Sequence, residues 1–231
     1  LTIQQNQKLT DSLTALMPYG SVLLAAQENH IYQVTYSTDP AIDANIALLI
    51  NRGVYNQRCW DIYDDEIYCL DRRGMYTMTA GGQVTSVSDA VQSYWIDKEI
   101  EASRTESFFV KIDSRAAVVR AFVVINDSNA PGPNLVLCYS INTKTWWTET
   151  YPNSLTSSSS YRPESTLIHD DVYSAIDGTI YALDGKSDAG YRSITSVSLT
   201  SGGSGYVSPP RVTATLAQGS GASFQALIKN G

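Results

Sequence analysis

Short runs in which apolar and polar residues alternate recur along the chain, and most of them carry a tyrosine. Alternation at every second residue places the two sets of side chains on opposite faces of a pleated strand. Because the runs return at unequal intervals of tens of residues, they predict a repeat of small antiparallel sheets with loops of variable length. The runs are residues 31–34, 67–71, 75–78, 137–140 and 180–185.

The best-defined unit spans residues 59–79, where short alternating segments are separated by Asp64-Asp65 and by Arg72-Arg73-Gly74. This pattern predicts most of a four-stranded propeller blade. The apolar residues 93–96 favour a continuation of this sheet, and the charged residues 97–106 favour a short helix or an exposed connection.

Several other segments are punctuated by turn signals. The turn at residues 141–145 precedes Trp146, an arrangement typical of the end of a propeller blade, where the tryptophan covers the gap to the next blade. Asp177-Gly178 separates two alternating runs and predicts a tight hairpin in a different blade from that of Asp64-Asp65.

The serine tract 154–160 predicts a flexible, low-complexity segment. For residues 1–19 the pattern is compatible with either a helical turn or an incoming strand.

The residue composition and the pattern of the chain change near residue 188. Alternation starts afresh at residues 194–200 and is followed by Gly202, Gly203 and Gly205, which permit sharp turns, and then by Pro209-Pro210. We therefore predict propeller blades over residues 1–188 and a small Gly/Ser-rich β module over residues 189–231. A unit this short buries too little apolar surface to be stable alone, so we expect it to be truncated and to continue into a longer polypeptide.

Composition restricts the possible functions. The 231 residues are 43% hydrophobic but only 17% charged, and they include 15 tyrosines, which provide apolar contact area with a polar tip. A formal net charge of −7 argues against nucleic-acid binding as the main role, because such proteins carry a basic face. No apolar run approaches the length of about 18 residues that a membrane span needs. With no secretory signal, the three cysteines are expected to be buried reduced thiols.

Candidate catalytic residues are few. His30 and His169 are the only histidines, and neither has a nucleophile and an orienting group in a recognisable spacing. We therefore predict no catalytic residues, no cofactor and no enzyme activity.

Two acidic clusters leave calcium binding and glycosidase chemistry open, but Asp in turns usually bonds nearby backbone amides, and neither cluster matches the twelve-residue calcium loop. We predict no metal site. The clusters are Asp61, Asp64, Asp65, Glu66 and Asp71, and Asp170, Asp171, Asp177 and Asp184.

Two further patterns allow a binding function. The glycines at 202–205 and 219–221 superficially suggest phosphate loops, but β-patterned residues and prolines follow them instead of a helix. The tryptophans and tyrosines are able to form a sugar-binding platform, although packing in the core and between blades is the more frequent use of such residues. The tryptophans are Trp60, Trp95, Trp146 and Trp147.

Residues 59–82, 113–115 and 137–146 resemble propeller domains in the tail proteins of tailed bacteriophages. In those domains a strand leads into a hairpin similar to Arg72-Arg73-Gly74, and a later hairpin ends in a tryptophan, as at Trp146. Family members include tail nozzle and hub proteins and proteins that stabilise packaged DNA at the head-to-tail junction. Residues 194–229 resemble a short module that recurs in tandem in phage tail and fibre proteins, with the core Gly-Gly-Ser-Gly-Tyr followed by Ser-Pro-Pro.

This resemblance implies an all-β chain whose antiparallel blades form a partial or complete β-propeller with a small C-terminal β module. It further implies a structural virion protein, made in the host cytoplasm and located in the tail, that forms a homo-oligomeric ring around the DNA channel. Its implied partners are other tail proteins, such as an adaptor or fibres, with DNA only passing through during ejection. The alternatives are a carbohydrate-binding adhesin or receptor-binding tail protein on the same scaffold and, as a weaker one, a glycoside hydrolase.

Overall fold

The alternating runs form the strands of four separate antiparallel sheets, and each sheet is built from strands that are consecutive along the chain. The computed structural model describes residues 11–36, 44–97, 99–161 and 170–182. All of these belong to one compact unit, Leu1–Leu183. Within the described residues none of the four sheets closes into a barrel. The chain is therefore all-β, as predicted.

The four sheets follow one another in chain order. Sheet I contains β1 (Ala15–Tyr19), β2 (Val22–Ala26), β3 (Ile31–Tyr36) and β4 (Ala44–Ile50). Sheet II contains β5 (Trp60–Tyr63), β6 (Glu66–Asp71), β7 (Gly74–Met78) and β8 (Val84–Ser86). Sheet III contains β9 (Phe109–Asp113), β10 (Val118–Val123), β11 (Leu135–Ser140) and β12 (Trp146–Glu149). Sheet IV contains β13 (Leu155–Tyr161), β14 (Asp170–Ala175) and β15 (Ile180–Ala182).

Both predicted hairpin turns are confirmed, and they lie in different sheets. Asp64 and Asp65 join β5 to β6 with φ angles of 48° and 62°, the left-handed conformation that a two-residue hairpin of this type requires at both positions. Aspartate tolerates this conformation better than most residues because its short side chain bonds locally. Gly178, with a φ of 84°, makes the turn between β14 and β15.

Three local predictions are corrected or decided by the structure. Residues 93–96 do not extend sheet II: they form α1 (Ser93–Ile96), from which Tyr94 and Trp95 pack on the apolar core, and the fourth strand is β8. The serine tract is not a flexible segment, because its backbone pairs with β14 along β13, and Leu155, the first residue of β13, is buried. Of the alternatives for residues 1–19, residues 15–19 form an incoming strand, β1.

Short helical turns connect the sheets. One 3-10 turn, Asp89–Val91, precedes α1, and another, Ala102–Ser107, leads into sheet III. Of the two alternatives for residues 97–106, a short helix or an exposed connection, the structure thus shows a short helical turn from Ala102. No described helix is long and apolar enough to cross a membrane. The predicted module over residues 189–231 lies outside the described residues.

The sheets pack face to face in sequence. Sheets I, II and III share one apolar cluster, and β7 is buried at every position because sheet II is covered on both faces. The opposite face of sheet III packs on sheet IV through a second cluster, in which the rings of Phe109 and Phe122 stack at 4.1 Å and Tyr173 lies 5.5 Å from Phe122. Each fully buried side chain of this size contributes about 1.5–3 kcal/mol to the free energy of folding.

The cysteines belong to these clusters. Cys59, Cys69 and Cys138 are buried and form no disulfide, as predicted. Burial raises the pKa of all three thiols well above the ordinary value of 9.0, for Cys69 to about 12, because a thiolate loses its hydration there. The three thiols are therefore protonated packing groups at neutral pH.

Candidate functional site

The first predicted acidic cluster is dispersed by the strands that carry it. Asp64 and Asp65 occupy an exposed turn, whereas Asp71 is only 2% exposed. The Asp71 carboxylate accepts two hydrogen bonds from Arg52, at 2.8 Å from Nε and 2.7 Å from Nη2, and a third from the backbone N–H of Arg73. A two-pronged arginine–carboxylate bond of this kind fixes geometry as well as charge. Asp71 therefore anchors the segment after sheet I to sheet II.

The second predicted acidic cluster is equally divided. Asp170 begins β14, and the next residue, Asp171, lies 3.5 Å from the ammonium of Lys111. Asp177 caps its own turn by accepting a hydrogen bond at 2.9 Å from a backbone N–H two residues further on. Asp184 lies outside the described residues. The turn-forming role that aspartates commonly have therefore accounts for Asp177.

The described part of the chain shows neither a catalytic histidine nor a metal-binding cluster. His30 lies beside β3 with its ring 6.1 Å from that of Tyr32, and its Nδ1 is buried without a hydrogen-bond partner. His169 lies outside the described residues. Across residues 11–36, 44–97, 99–161 and 170–182, no group of three or more His, Cys, Asp or Glu side chains is placed to hold a metal ion.

Sheets II and III instead present two facing rows of side chains. Residues directly opposite one another in an antiparallel pair share a face, so the strand register defines each row. The sheet II row is Asp61, Tyr68, Thr77 and Thr85. The sheet III row is Ile112, Val119, Tyr139 and Trp146.

The inner end of each row lies on the first strand of its sheet, β5 or β9. Hydrogen bonds between these two strands join the inner ends. The Asp61 carboxylate accepts the backbone N–H of Ile112 at 2.9 Å and lies 3.4 Å from the Lys111 ammonium. The backbone N–H of Val110 donates to the carbonyl of Arg58 at 2.8 Å. These bonds hold β5 against β9.

The outer ends of the rows lie on the last strands, β8 and β12. Between them is a pocket of about 380 Å³. This volume falls within the range of small-molecule sites, about 300–1,000 Å³. Its floor is formed by Tyr68, Thr77 and Tyr139, which are buried, and its rim carries exposed polar groups. The lining residues with charged side chains are Glu66, Asp89 and Lys144.

Trp146 forms one wall of this pocket and links the two sheets. Its indole N–H donates to the carbonyl of Val87, just beyond β8, at 2.8 Å, and its ring lies 5.0 Å from that of Tyr139. The sequence predicts that this tryptophan covers the gap to the next sheet, whereas the structure bonds it to the preceding one, sheet II. The indole nitrogen is fixed by this bond, and the ring lies along the lining of the pocket.

The electrostatics of the pocket floor keep both tyrosines neutral. Burial, and next the negative charge of Glu66, raise the pKa of Tyr68 and of Tyr139 above the ordinary value of 10.0. The Tyr68 hydroxyl donates to Glu66 Oε2 at 3.1 Å. The Lys144 ammonium lies 6.0 Å from the centre of the Tyr139 ring, at the outer limit of a cation–π contact. The floor is therefore aromatic and uncharged, while the charges stand at the rim.

The four tryptophans do not form a common platform. Trp60, Trp95 and Trp146 each pack on the apolar core, in agreement with the packing role that the sequence favours. Trp147 points to the other face of sheet III, is 38% exposed and donates to Glu149 Oε1 at 3.0 Å.

The interface between sheets III and IV holds a second group of polar side chains. Arg120 lies 3.4 Å from Asp113 and 3.3 Å from Glu149, and the Tyr151 hydroxyl donates to the same Glu149 oxygen at 2.5 Å. Burial opposes the charge of Glu149, but the hydrogen bonds from Tyr151 and Trp147 and the charge of Arg120 lower its pKa below the ordinary 4.5. The carboxylates of this group are occupied with arginine and aromatic donors, so they form a structural ionic cluster.

Sequence reasoning missed most of the pocket. Glu66 appears among the acidic residues and Trp146 as a gap-covering residue, but nothing in the linear pattern joins them. Thr85, Asp89 and Lys144 are contributed by β8, a 3-10 turn and a hairpin turn. The one usable signal is the spacing of Glu66 and Tyr68, which share a strand face; the other members depend on strand register and sheet stacking.

Comparisons with known proteins add no assignment: no protein-family model matches the chain, and no curated protein is significantly similar to it.

Proposed function

We propose that the chain is a structural, non-enzymatic protein of a bacteriophage tail, of the nozzle or hub type, and that its four sheets are blades of a β-propeller. In this proposal the protein is located in the virion tail and assembles as a homo-oligomeric ring around the DNA channel. Other tail proteins, such as an adaptor or fibres, are its neighbours.

The stacking of sheets I to IV in chain order is the observation that carries the propeller part of the proposal. Each sheet is an antiparallel meander, and propeller blades are sheets of this kind. The first strands of successive sheets also lie next to one another: β1 contacts Gln57 just before β5 through backbone bonds of Leu16 at 2.7 and 2.9 Å, and β5 contacts β9. In a propeller the first strands surround the axis, so this adjacency supports a blade arrangement.

The polar groups along these first strands support a rigid scaffold. Lys111 on β9 donates to Ser160 on β13 at 2.9 Å and also approaches Asp61 on β5. Arg58 donates to the carbonyl of Thr156 on β13 at 2.8 Å. A single lysine and a single arginine thereby connect three sheets, and a scaffold held at its first strands resists shear between blades.

Charge and surface composition support the assembly part. A net charge of −7 reduces attraction to the phosphates of passing DNA, provided that carboxylates face the channel. The described surface also exposes large apolar side chains, among them Ile96 and Ile180, each 70% exposed. Exposed apolar side chains are candidates for contacts between copies when they form patches.

Single-particle electron microscopy of the full-length protein tests this proposal. We expect ring-shaped particles with a central opening, in which each copy carries a disc of radially arranged sheets. Particles that remain single copies at all concentrations, or copies whose sheets do not surround an axis, contradict the ring and the propeller respectively.

Lysine substitutions test the contacts between copies. Ile96→Lys and Ile180→Lys are compared with Thr179→Lys, an exposed position beside Ile180 that carries no large apolar group. Mass photometry is expected to show smaller assemblies for at least one isoleucine variant and unchanged assemblies for Thr179→Lys. Assemblies unaffected by both isoleucine variants contradict a role for these side chains in the ring.

A further inference from the structure

We propose that the pocket between the outer ends of sheets II and III binds one non-acidic pyranose unit of a polysaccharide. The inference goes beyond the structural role proposed above and does not depend on a closed propeller, because every lining residue comes from sheets II and III and their connecting turns. The aromatic content of the sequence allows carbohydrate binding without saying where it occurs. The proposal assigns it to this pocket.

The shape of the pocket follows from the two facing rows. At the inner end the Asp61 bond to β9 closes the gap, and in the middle Thr77 and Val119 are buried. At the outer end Thr85 is exposed on β8, and Trp146 stands opposite it, half-buried. The result is a cavity with a closed floor and an open mouth, which suits the terminal or side-chain ring of a longer glycan.

Aromatic rings provide the apolar side of a sugar site. A pyranose has one face of C–H groups that packs on an aromatic ring, and Trp146 presents its ring while its N–H is fixed on the carbonyl of Val87. Because the indole is already held by this bond and by Tyr139, little side-chain freedom remains to be lost on binding.

Polar rim groups provide the hydrogen bonds. Glu66 has accepting capacity beyond the bond from Tyr68, and Asp89 has capacity beyond the 2.8 Å bond that it accepts from Ser86. The Lys144 ammonium offers donors at the mouth of the pocket. Carboxylates that accept and an ammonium that donates are together suited to hydroxyl groups, since each hydroxyl is both a donor and an acceptor.

The charges at the rim disfavour an acidic ring. The lining carries two carboxylates, Glu66 and Asp89, and one ammonium, Lys144, so an anionic sugar such as a uronic acid meets more repulsion than attraction. A neutral polyol gains hydrogen bonds from all three groups and meets no like charge. We therefore expect glucose, galactose, mannose, N-acetylglucosamine or glucosamine to bind in preference to glucuronate.

The experiment measures binding of these six free sugars to the full-length protein by ligand-observed NMR and calorimetry. Thr85→Arg places a long side chain across the pocket from an exposed strand position, and Glu66→Gln removes one acceptor charge without changing the size of the side chain. Arg72→Gln is the matched control, because Arg72 is exposed in the turn at the other end of β6. Circular dichroism verifies that each variant is folded.

At least one neutral pyranose is expected to show saturable binding that weakens about tenfold or more in Thr85→Arg, which corresponds to about 1.4 kcal/mol. Glu66→Gln is expected to weaken binding less, and Arg72→Gln not at all. Three results overturn the proposal: no saturable binding of any neutral sugar, equal binding in folded Thr85→Arg, or tighter binding of glucuronate than of the neutral sugars.

Discussion

Sheet III packs against sheet II through apolar and aromatic side chains, whereas its other face meets sheet IV around a half-buried arginine. The two faces are set by alternate residues of the same strands. Val119 and Tyr139 point towards sheet II, and Arg120 and Cys138, their immediate neighbours, point towards sheet IV. The apolar interface leaves a pocket at its outer end, and the charged interface is filled by stacked rings and ionic contacts.

This difference shows how a buried charge changes the demands on packing. A charge removed from water must be matched by partners nearby, so Arg120 fixes Asp113 and Glu149, and Glu149 in turn fixes Tyr151. The row of Ile112, Val119 and Tyr139 carries no charged side chain, and a pocket separates its outer end from sheet II. Variants on the two faces therefore separate the contributions of charge and of packing.

The largest effect is expected on the charged face. Arg120→Met leaves Asp113 and Glu149 without their cation, and we expect it to lower the free energy of unfolding by about 3–5 kcal/mol. Urea denaturation measures the loss, with Arg72→Met, an exposed arginine in a turn, expected within about 0.5 kcal/mol of the unsubstituted protein. Equal, small losses in the two variants would show that the ionic cluster does not stabilise this interface.

Packing on the same face is tested by Phe122→Ala. The ring of Phe122 stacks on Phe109 and touches Tyr173, so its removal leaves a cavity between sheets III and IV and is expected to cost about 3–5 kcal/mol, at the lower end if Tyr173 moves into the space. Val119→Ala on the opposite face removes fewer carbon atoms and is the comparison. A larger loss in Val119→Ala than in Phe122→Ala contradicts the assignment of the two faces.

The link between sheets II and III is tested by Trp146→Phe. This change keeps an aromatic ring but removes the donor to the Val87 carbonyl, and we expect a loss of about 1–2 kcal/mol in the free energy of unfolding. Trp147→Phe on the other side of β12, 38% exposed, is expected to cost less. If Trp147→Phe is the more destabilising of the two, Trp146 does not bridge the sheets.

The smallest effect concerns pH. Because the folded protein lowers the pKa of Glu149 below 4.5, this group adds stability that is fully present above the pKa of the unfolded chain and is lost as the pH falls through the lowered value. Burial has the opposite result at Asp171: it raises the pKa there above 3.8, although Lys111 counteracts it, so this group costs stability as the pH rises from the unfolded pKa to the raised folded pKa.

Unfolding measured between pH 3 and 7 compares Glu149→Gln with Asp171→Asn. Glu149→Gln is expected to reduce the loss of stability on acidification, by about 1 kcal/mol or less. Asp171→Asn is expected to change the profile in the opposite sense. Parallel profiles for the two variants would mean that the two carboxylates do not differ in environment.

The strands and tight turns of this chain are predictable because they depend on local pattern. Alternation predicts β6 and β7, and Asp64-Asp65 is predictable as a turn because aspartate tolerates the left-handed backbone that such a hairpin needs. The same local reasoning fails at residues 93–96, whose apolar side chains reach the core from a helical turn instead of a strand. It fails again at the serine tract, where pairing with β14 outweighs a composition that favours flexibility.

The pocket and the ionic cluster are not predictable in this way. Which face of sheet III carries Arg120 is evident from alternation, but its partners come from β9 and β12, and the sheet it meets comes from residues further along the chain. The sequence likewise predicts an ordinary turn position for Asp71, although the structure buries this residue against Arg52. Such pairings depend on tertiary packing, about which a single sequence says little.

The consecutive order of strands within each sheet also has a kinetic consequence. Sheets I, II and III are each built from strands consecutive along the chain, and the longest connection inside them, between β10 and β11, spans only residues 124–134. These sheets therefore form from contacts that are local in sequence, which favours rapid folding. During synthesis, sheet I emerges before sheet II and sheet II before sheet III, so each later sheet has an existing apolar face on which to condense. A growing chain of this kind adds one sheet at a time, and its transient hazard is the exposed apolar face of whichever sheet was made last.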